Sequence, residues 1–196
     1  MSRKVLNDYA QVALQWEPGQ GTMDWVRVFG RTAPVHMEIG SGKGAFLVSE
    51  AQAHPDWDFL GVERANKYCR HAVDRVGRRG LGNVRVLRAD AADLLRSGIG
   101  NQALDGIHLY FPDPWPKRRH HRRRFLGREN LGQIVRVLKL GGRLQIVTDH
   151  AEYAAQMRGV VEGYSRDLVL VRFQPTAGAE AGEWVGTNFE RKYLKE

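Results

Sequence analysis

From residue 34 onward, short apolar runs alternate with turns and with segments of helical length. Strands joined by helices run parallel, because a parallel pair needs a crossover connection. The pattern therefore predicts an α/β fold with a mostly parallel, seven-stranded sheet and helices on both faces. The predicted strands comprise residues 34–39, 59–62, 84–87, 104–111, 143–147, 168–173 and 183–194.

The segments between these runs predict the helices and the division of the chain. Leu131, Ile134, Val135 and Leu138 follow the three-and-four spacing of a helix that packs on a sheet. The predicted helices comprise residues 22–29, 44–53, 66–79, 91–96, 123–139 and 152–164. Residues 1–33 are interpreted as an N-terminal arm of unassigned role, and residues 34–196 as one domain.

Acidic residues follow the predicted strands at the point where each strand ends. Parallel sheets bind ligands at the carboxyl ends of their strands, so these carboxylates are expected along one edge. Singly, four of them also suit an ordinary helix N-cap or first-turn acid, and Asp113 suits a cap of the proline turn; these alternatives stay open. The five acids are Glu38, Glu63, Asp90, Asp113 and Asp149.

The turn after the first of these strands indicates the kind of ligand. Glycines at 40, 42 and 44 let the backbone approach a ligand closely, but their spacing differs from the dinucleotide-binding pattern. The Glu38 carboxylate would repel a pyrophosphate, whereas S-adenosylmethionine carries a cationic amino group and a sulfonium. Glu63 is placed to bind ribose hydroxyls and Asp90 to accept from the adenine amino group.

A proline-rich block begins at the end of the fourth predicted strand. Three prolines at 112, 114 and 116 prevent helix or sheet from continuing, so Asp113 and Trp115 are held on a rigid segment. Seven lysines and arginines follow between residues 117 and 128, with no acid before Glu129. This pattern favours a base-binding site beside a phosphate-binding strip, although a solvated basic tail and a packing role for Trp115 are alternatives.

Charge and composition limit the classes of partner that the sequence favours. The net charge of +8 favours a polyanion, either nucleic acid or an anionic membrane surface. The basic run has no apolar stripe, so no membrane association is expected, and His120 and His121 lack companions at metal-ligand spacing. The single cysteine, Cys69, excludes an internal disulfide, and with no signal peptide recognised the expected location is the cytoplasm.

At this point the sequence resembles the bacterial tRNA (guanine-N7-)-methyltransferases. The resemblance rests on M-E-I-G-S-G-K-G (37–44), G-V-E-R (61–64), R-A-D-A (88–91), F-P-D-P-W-P-K-R-R-H (111–120), L-K-L-G-G (138–142), V-T-D-H (147–150) and T-N-F-E (187–190). It implies a Rossmann-like class I methyltransferase fold over residues 34–196, S-adenosylmethionine as cofactor, and methylation of guanine 46 at N7 in the tRNA variable loop. tRNA is the expected partner, no obligatory protein partner is expected, and monomer and homodimer remain open.

The resemblance also implies roles for individual residues. Asp113 is expected at the catalytic position. Cofactor contacts are expected from Glu38, Gly40, Gly42, Glu63, Asp90 and Asp113. Substrate contacts are expected from Lys117, Asp149, Thr187, Asn188, Phe189 and Glu190. RNA contacts are expected from Arg118, Arg119, His120, His121, Arg122, Arg123 and Arg124, and no metal is expected.

Guanine N7 carries a lone pair and no proton, so its methylation needs placement rather than a general base. Asp113 is hypothesised to accept from guanine N–H donors and to stabilise the positive charge that develops on the purine. Two other functions remain as alternatives. One is an amino methyltransferase acting on adenine or cytosine, and the other is an RNA-binding module that has lost its cofactor.

Overall fold

The computed structural model describes residues 6–193 of the chain, and the ends of the predicted arm and tail, residues 1–5 and 194–196, lie outside the described part. Six strands form one sheet in the order β1-β4-β3-β2-β5-β6, and every neighbouring pair is parallel. The strands are β1 (Ala13–Leu14), β2 (Val35–Ile39), β3 (Asp58–Val62), β4 (Val84–Leu87), β5 (Leu104–Tyr110) and β6 (Leu138–Val147).

Helices connect these strands, as the alternating pattern predicts. They are α1 (Trp25–Phe29), α2 (Ala45–Ala53), α3 (Asn66–Gly77), α4 (Ala91–Ser97), α5 (Arg128–Val137), α6 (Ala151–Glu162) and α7 (Asn188–Tyr193). A 3₁₀ helix, Arg118–Arg123, takes up the first part of the basic segment, so α5 begins five residues later than predicted. Among residues 6–193, none of the helices has the length and apolarity needed to cross a bilayer.

Two apolar cores cover the two faces of the sheet. On one face, Met37 and Leu60 of the sheet pack with Leu94, Leu131 and other side chains from α1, α4, α5 and α6. On the other face, residues of α2 and α3 pack against β3 and β4 around fully buried Phe46 and Phe59. The prediction of helices on both faces is therefore confirmed, because burial of both surfaces is what stabilises a parallel sheet.

The strand order creates a crevice next to β2. The chain first builds outward from β2 through β3 to β4, and then returns to place β5 on the opposite side of β2. In register, Glu38 of β2 lies opposite His108 of β5 and Gly61 of β3. Ligands of such sheets bind at the carboxyl ends of the strands where the order reverses, which here is the end of β2 and β5.

The predicted seventh strand and the predicted strand at 168–173 are absent from the described structure. Val169, Leu170 and Val171 are 86%, 89% and 68% exposed. Their strand-forming composition is not enough, because a strand also needs a neighbouring backbone to pair with. The described part of 183–194 instead forms a loop followed by α7.

One strand was not predicted. Ala13 and Leu14 pair with Val86 and Leu87 of β4, within the segment interpreted as an arm. Val12 and Trp16 on either side of them are buried. A two-residue strand is too short to show an alternating pattern, so only the long-range pairing reveals it.

Candidate active site

The glycine turn after β2 has the backbone that its sequence demands. Gly40, Gly42 and Gly44 have φ angles of +75°, +54° and +68°, in the left-handed region that favours glycine. A Cβ at Gly44 would lie 3.1 Å from the Ala72 Cβ of α3, so this glycine allows close packing. A Cβ at Gly40 would meet nothing within 4 Å, which leaves the front of the turn open to a ligand.

Glu38 is the most unusual acid of this edge. Its side chain is buried, and its Oε2 atom has no hydrogen-bond partner within residues 6–193. Burial, reinforced by the negative charge of Glu63, raises the pKa of the Glu38 carboxyl to about 8. The nearby Ser41 hydroxyl is likewise buried without a partner in the described structure. A buried carboxyl in this state is suited to a cationic or hydrogen-bond-donating ligand.

Glu63 and Asp90 lie just beyond the carboxyl ends of β3 and β4, and each binds neighbouring backbone N–H groups. The Glu63 carboxylate accepts from the Gly42 N–H at 2.9 Å and from the Ala65 N–H at 2.7 Å, which ties the glycine turn to the start of α3. Asp90 accepts from the Ala92 N–H at 2.9 Å and caps α4, so the helix-cap interpretation describes its geometry. Its other carboxylate oxygen lies 3.4 Å from the exposed Arg64.

The segment carrying Asp113 has a strained backbone. Phe111 and Trp115 both adopt left-handed conformations, with φ angles of +47° and +43°. Such residues carry a strain of about 1–3 kcal/mol each and persist only where the surrounding structure holds them. Asp113 lies between them with an exposed carboxylate, for which the described structure records no hydrogen bond or ion pair.

Arg124 is one of the residues that hold the Asp113 segment in place. Its side chain is 1% exposed, and its Nε–H donates to the Pro114 carbonyl at 2.8 Å. Its remaining N–H groups bind Gln156 and Glu152 of α6. A guanidinium so buried has no free face for a phosphate, so Arg124 differs from the exposed arginines with which the sequence groups it.

The rest of the basic segment lies on and beside the 3₁₀ helix. Five cations of this segment are exposed, Lys117, Arg118, Arg119, Arg122 and Arg123. Arg123 also stacks over the Trp115 ring at 4.9 Å, and His120 meets the ring edge-on at 5.9 Å. Trp115 is thus half-buried in contacts within its own loop, which supports the packing interpretation more than the base-stacking one. His121 lies 3.5 Å from Glu152.

The T-N-F-E motif lies beside the same strand end. The Glu190 carboxylate accepts from the N–H groups of Trp184, Val185 and Gly186, and the Thr187 hydroxyl accepts from the Glu190 N–H at 3.1 Å. Glu190 therefore fixes the loop before α7. The Phe189 ring packs 4.7 Å from the Phe111 ring, which places α7 next to the Asp113 segment.

Two further predicted substrate contacts are Asp149 and Asn188. Asp149 follows β6 with an exposed carboxylate, and the cap of α6 is His150, whose Nδ1 accepts from the Tyr153 N–H at 3.2 Å. Asn188 accepts from the Arg75 Nη1–H of α3 at 3.3 Å. Sequence reasoning assigned the helix-cap alternative to Asp149 rather than to His150, because histidine is not among the preferred cap residues.

A buried polar chain under the site was also missed. His36 Nδ1 lies 3.0 Å from His108 Nε2, and His108 Nδ1 lies 2.7 Å from the Tyr110 hydroxyl. That hydroxyl donates to the Gln145 Oε1 at 2.7 Å. Burial lowers the pKa of His36 to about 4 and that of His108 to about 3, so both rings are neutral near pH 7. This set of hydrogen-bonded side chains links β2, β5 and β6 before the carboxyl ends of the strands, where the candidate site lies.

Comparison with known proteins places this geometry in a family. A family model described as "Putative methyltransferase" matches residues 32–193. The tRNA (guanine-N(7)-)-methyltransferase of Alkalilimnicola ehrlichii is 40% identical over 93% of this chain and 76% of its own length. That of Nitrosococcus oceani is 37% identical over 75% of this chain, which spans only 62% of that relative.

The chain belongs to the tRNA (guanine-N7-)-methyltransferase family. A solved structure agrees on the fold: a SAM-dependent methyltransferase from Aquifex aeolicus superposes with a TM-score of 0.53 at 16% identity, over 78% of this chain and 82% of its own. The predicted Rossmann-like class I methyltransferase fold is thereby confirmed, with six strands in the described residues rather than seven.

The two kinds of arginine in the family's basic segment are expected to behave differently on mutation. Arg124→Gln removes the contacts to Pro114 and Glu152 and should lower the free energy of unfolding by about 2–3 kcal/mol, as for hydrogen bonds to charged groups. Arg122→Gln should leave stability unchanged but reduce the salt dependence of RNA binding by about 0.7–0.9 in logarithmic slope. Urea unfolding and salt-dependent binding of tRNA measure the two effects; identical behaviour of the two variants would contradict the assignment.

Glu190→Ala is expected to release the loop before α7. Three backbone N–H groups lose their acceptor, and each unsatisfied buried group costs about 1–3 kcal/mol. We expect faster hydrogen exchange of the buried Val185 amide and a lower unfolding free energy. Glu162→Ala, at the exposed end of α6, is the matched control. Unchanged exchange at Val185 would show that Glu190 does not hold this loop.

Proposed function

We propose that this chain methylates N7 of guanine 46 in the variable loop of tRNA, with S-adenosylmethionine as methyl donor. The observation that carries the proposal is the buried Glu38 carboxyl, whose Oε2 atom has no hydrogen-bond partner in the described structure, beside an open glycine turn at the crevice of a methyltransferase fold. The names of the relatives supply the base and the RNA. We assign the catalytic domain to residues 34–196, as the sequence predicted.

The residues of this edge fit the proposed cofactor. The cofactor supplies an electrophilic methyl group on a cationic sulfonium, together with an ammonium, an adenine and two ribose hydroxyls. Glu38 is the carboxylate for the cationic amino-acid end, because its position is buried and lacks a countercharge. Gly40 and Gly42 provide a backbone surface without side chains, which the cofactor can approach closely. Glu63 and Asp90 keep acceptor oxygens at the next two strand ends for the ribose and the adenine.

Asp113 is assigned the handling of the guanine. Its exposed carboxylate lies on the segment between two strained residues, and the buried Arg124 holds the Pro114 carbonyl next to it. A carboxylate on a backbone segment held in this way can accept from guanine N–H donors, and it favours positive charge on the purine as the bond forms. No proton has to leave N7, so no general base is assigned.

Substrate contacts are assigned to the two segments that flank Asp113. Phe189 lies against Phe111 and offers an apolar surface, while Thr187, Asn188 and Asp149 are polar groups at the same end of the sheet. The exposed cations for RNA phosphates are Lys117, Arg118, Arg119, Arg122 and Arg123, and the predicted RNA contacts His120 and His121 lie among them. Arg124 serves as the anchor of the segment rather than as an RNA contact. Phosphate contacts position the RNA without reading its sequence.

Incubation with unmodified tRNA and methyl-labelled cofactor, followed by nucleoside analysis, tests the proposal. The expected product is 7-methylguanosine, and a tRNA with adenine in place of guanine 46 should remain unlabelled. Labelled N6-methyladenosine or N4-methylcytidine would support an amino methyltransferase instead. Binding of RNA without binding of S-adenosylmethionine in calorimetry would support a non-catalytic RNA-binding module.

A further inference from the structure

A cavity beside α7, lined by residues outside the basic segment, has no role in the site described above. It has a volume of about 480 Å³ and lies between α2, α3 and the loop before α7. Its polar lining is Ser49, Gln52, Arg75, Arg79, Arg191 and one acid, Glu180, and the Gly178 backbone also lines it.

The loop wall of this cavity is fixed in place. The Gly178 N–H donates to the Oε1 atom of Glu50, a buried residue of α2. A Cβ at Gly178 would lie 2.4 Å from the Ser49 backbone carbon, so only glycine allows this approach. The cavity is therefore a built feature between the loop and α2, rather than a gap that a small shift would close.

Two of the three arginines that line the cavity have no acidic partner in the described structure. Arg191 pairs with Glu183 at 2.6 Å and with Glu180 at 3.3 Å. Arg75 contacts the Asn188 amide oxygen, and Arg79 donates to the Arg75 carbonyl at 3.1 Å. Neutral acceptors leave both positive charges uncompensated.

The arginines also act on one another. Burial lowers the pKa of the Arg75 guanidinium, and the positive charges of Arg79, Arg191 and Arg78 lower it further. Arginines placed together against their mutual repulsion are typical of surfaces that bind phosphate, because the guanidinium fork matches phosphate oxygens. An exposed arginine with no such function would be expected to turn away into solvent.

The position of the cavity connects it to the candidate active site. Arg75 contacts Asn188, and the next residue, Phe189, packs on Phe111 at the start of the Asp113 segment. The T-N-F-E motif therefore links the cavity to the segment that carries Asp113. A nucleic-acid strand that presents one base at Asp113 has backbone on both sides of that base.

We infer that Arg75 and Arg79 form a second phosphate-binding site, which holds the tRNA backbone on the side of the target guanine opposite to the basic segment. The inference rests on the proposed tRNA methyltransferase activity. It predicts that RNA affinity depends on α3 as well as on residues 117–122. The ligand is backbone phosphate, so the site contributes affinity and orientation but no base specificity.

The test compares the double variant Arg75→Gln/Arg79→Gln with the charge-matched Arg27→Gln/Arg70→Gln. Arg27 is exposed on α1, and Arg70 is exposed on α3, five residues before Arg75. Binding of an unmodified tRNA transcript is measured against salt concentration. The cavity variant should lose about 1.4–1.8 in the slope of log affinity against log salt, and the control should keep the wild-type slope.

A second variant tests whether the change in tRNA binding is an indirect effect of removing two guanidiniums. Gln52→Glu keeps the shape of an exposed side chain that lines the cavity and adds a negative charge there. It should weaken tRNA binding several-fold at low salt, with unchanged affinity for S-adenosylmethionine.

The outcomes separate this inference from the proposed function. If the wild-type protein makes 7-methylguanosine while both cavity variants bind tRNA with the wild-type slope and affinity, the second phosphate site is wrong and the activity stands. If the wild-type protein neither binds nor methylates tRNA, the proposed function fails and the inference fails with it.

Discussion

Replacing Asp113 with asparagine is expected to reduce the rate of 7-methylguanosine formation by about 10²–10³-fold, the range typical for loss of one preorganised electrostatic contact. The variant keeps the shape of the side chain but removes its charge. The loss should appear in single-turnover rates at saturating tRNA and cofactor. Affinity for S-adenosylmethionine should change little, since the proposed role of the carboxylate is toward the purine.

The chain offers a matched control for this prediction. Asp56 is also an exposed aspartate, but it precedes β3 and so lies at the amino end of the parallel strands, opposite to the site. Asp56→Asn should retain the wild-type rate. A wild-type single-turnover rate in Asp113→Asn would exclude the aspartate from the reaction. A loss of cofactor affinity equal to the loss of rate would move its role from the purine to the cofactor.

The second large effect is expected for Glu38→Gln, and it concerns the cofactor. Loss of a charged hydrogen-bonding partner weakens binding by about 1.5–3 kcal/mol, or about 10- to 100-fold in the dissociation constant for S-adenosylmethionine. The wild-type affinity should also rise with pH up to about 8, because the free carboxyl must ionise to bind a cation. Calorimetry across this pH range measures both effects. In the Glu38→Gln variant, the affinity for S-adenosylmethionine should lack the part of the pH dependence that Glu38 contributes.

The same residue predicts the pH dependence of stability without ligand. A carboxyl whose folded pKa of about 8 exceeds its ordinary value of 4.5 favours the folded state at low pH. That stabilisation is lost as pH rises from about 4.5 to about 8, by several kcal/mol, since one pKa unit corresponds to about 1.4 kcal/mol. Glu38→Gln should remove this loss. The lowered pKa values of His36 and His108 act in both proteins and cancel in the comparison.

Unfolding of the two proteins between pH 5 and pH 8.5 is the measurement, with no nucleotide or cofactor present. Parallel curves for the wild type and Glu38→Gln would show that the buried carboxyl is already compensated by the protein. That result would also remove the main support for Glu38 as the acid that binds a cationic group.

The edge of the sheet was the part of the site that sequence predicted best. Each acid directly follows an apolar run or comes within a few residues of it, and parallel strands bring such positions to one edge whatever the intervening sequence. The predicted strand at 168–173 has a strand-forming composition but forms no strand, and the described part of the predicted strand at 183–194 forms a loop and α7. Pairing depends on residues distant in sequence, so composition alone could not decide it.

The sequence by itself determined the backbone of this protein where local preference is strong. Glycines at 40, 42 and 44 permit left-handed turns, and the prolines around Asp113 stop regular structure. The tertiary structure alone decided where side chains of the same type take different roles. Arg122 and Arg124 are two residues apart, yet one is exposed and the other is buried against α6. Burial depends on contacts from residues far along the chain, and those exist only once the sheet and helices have packed.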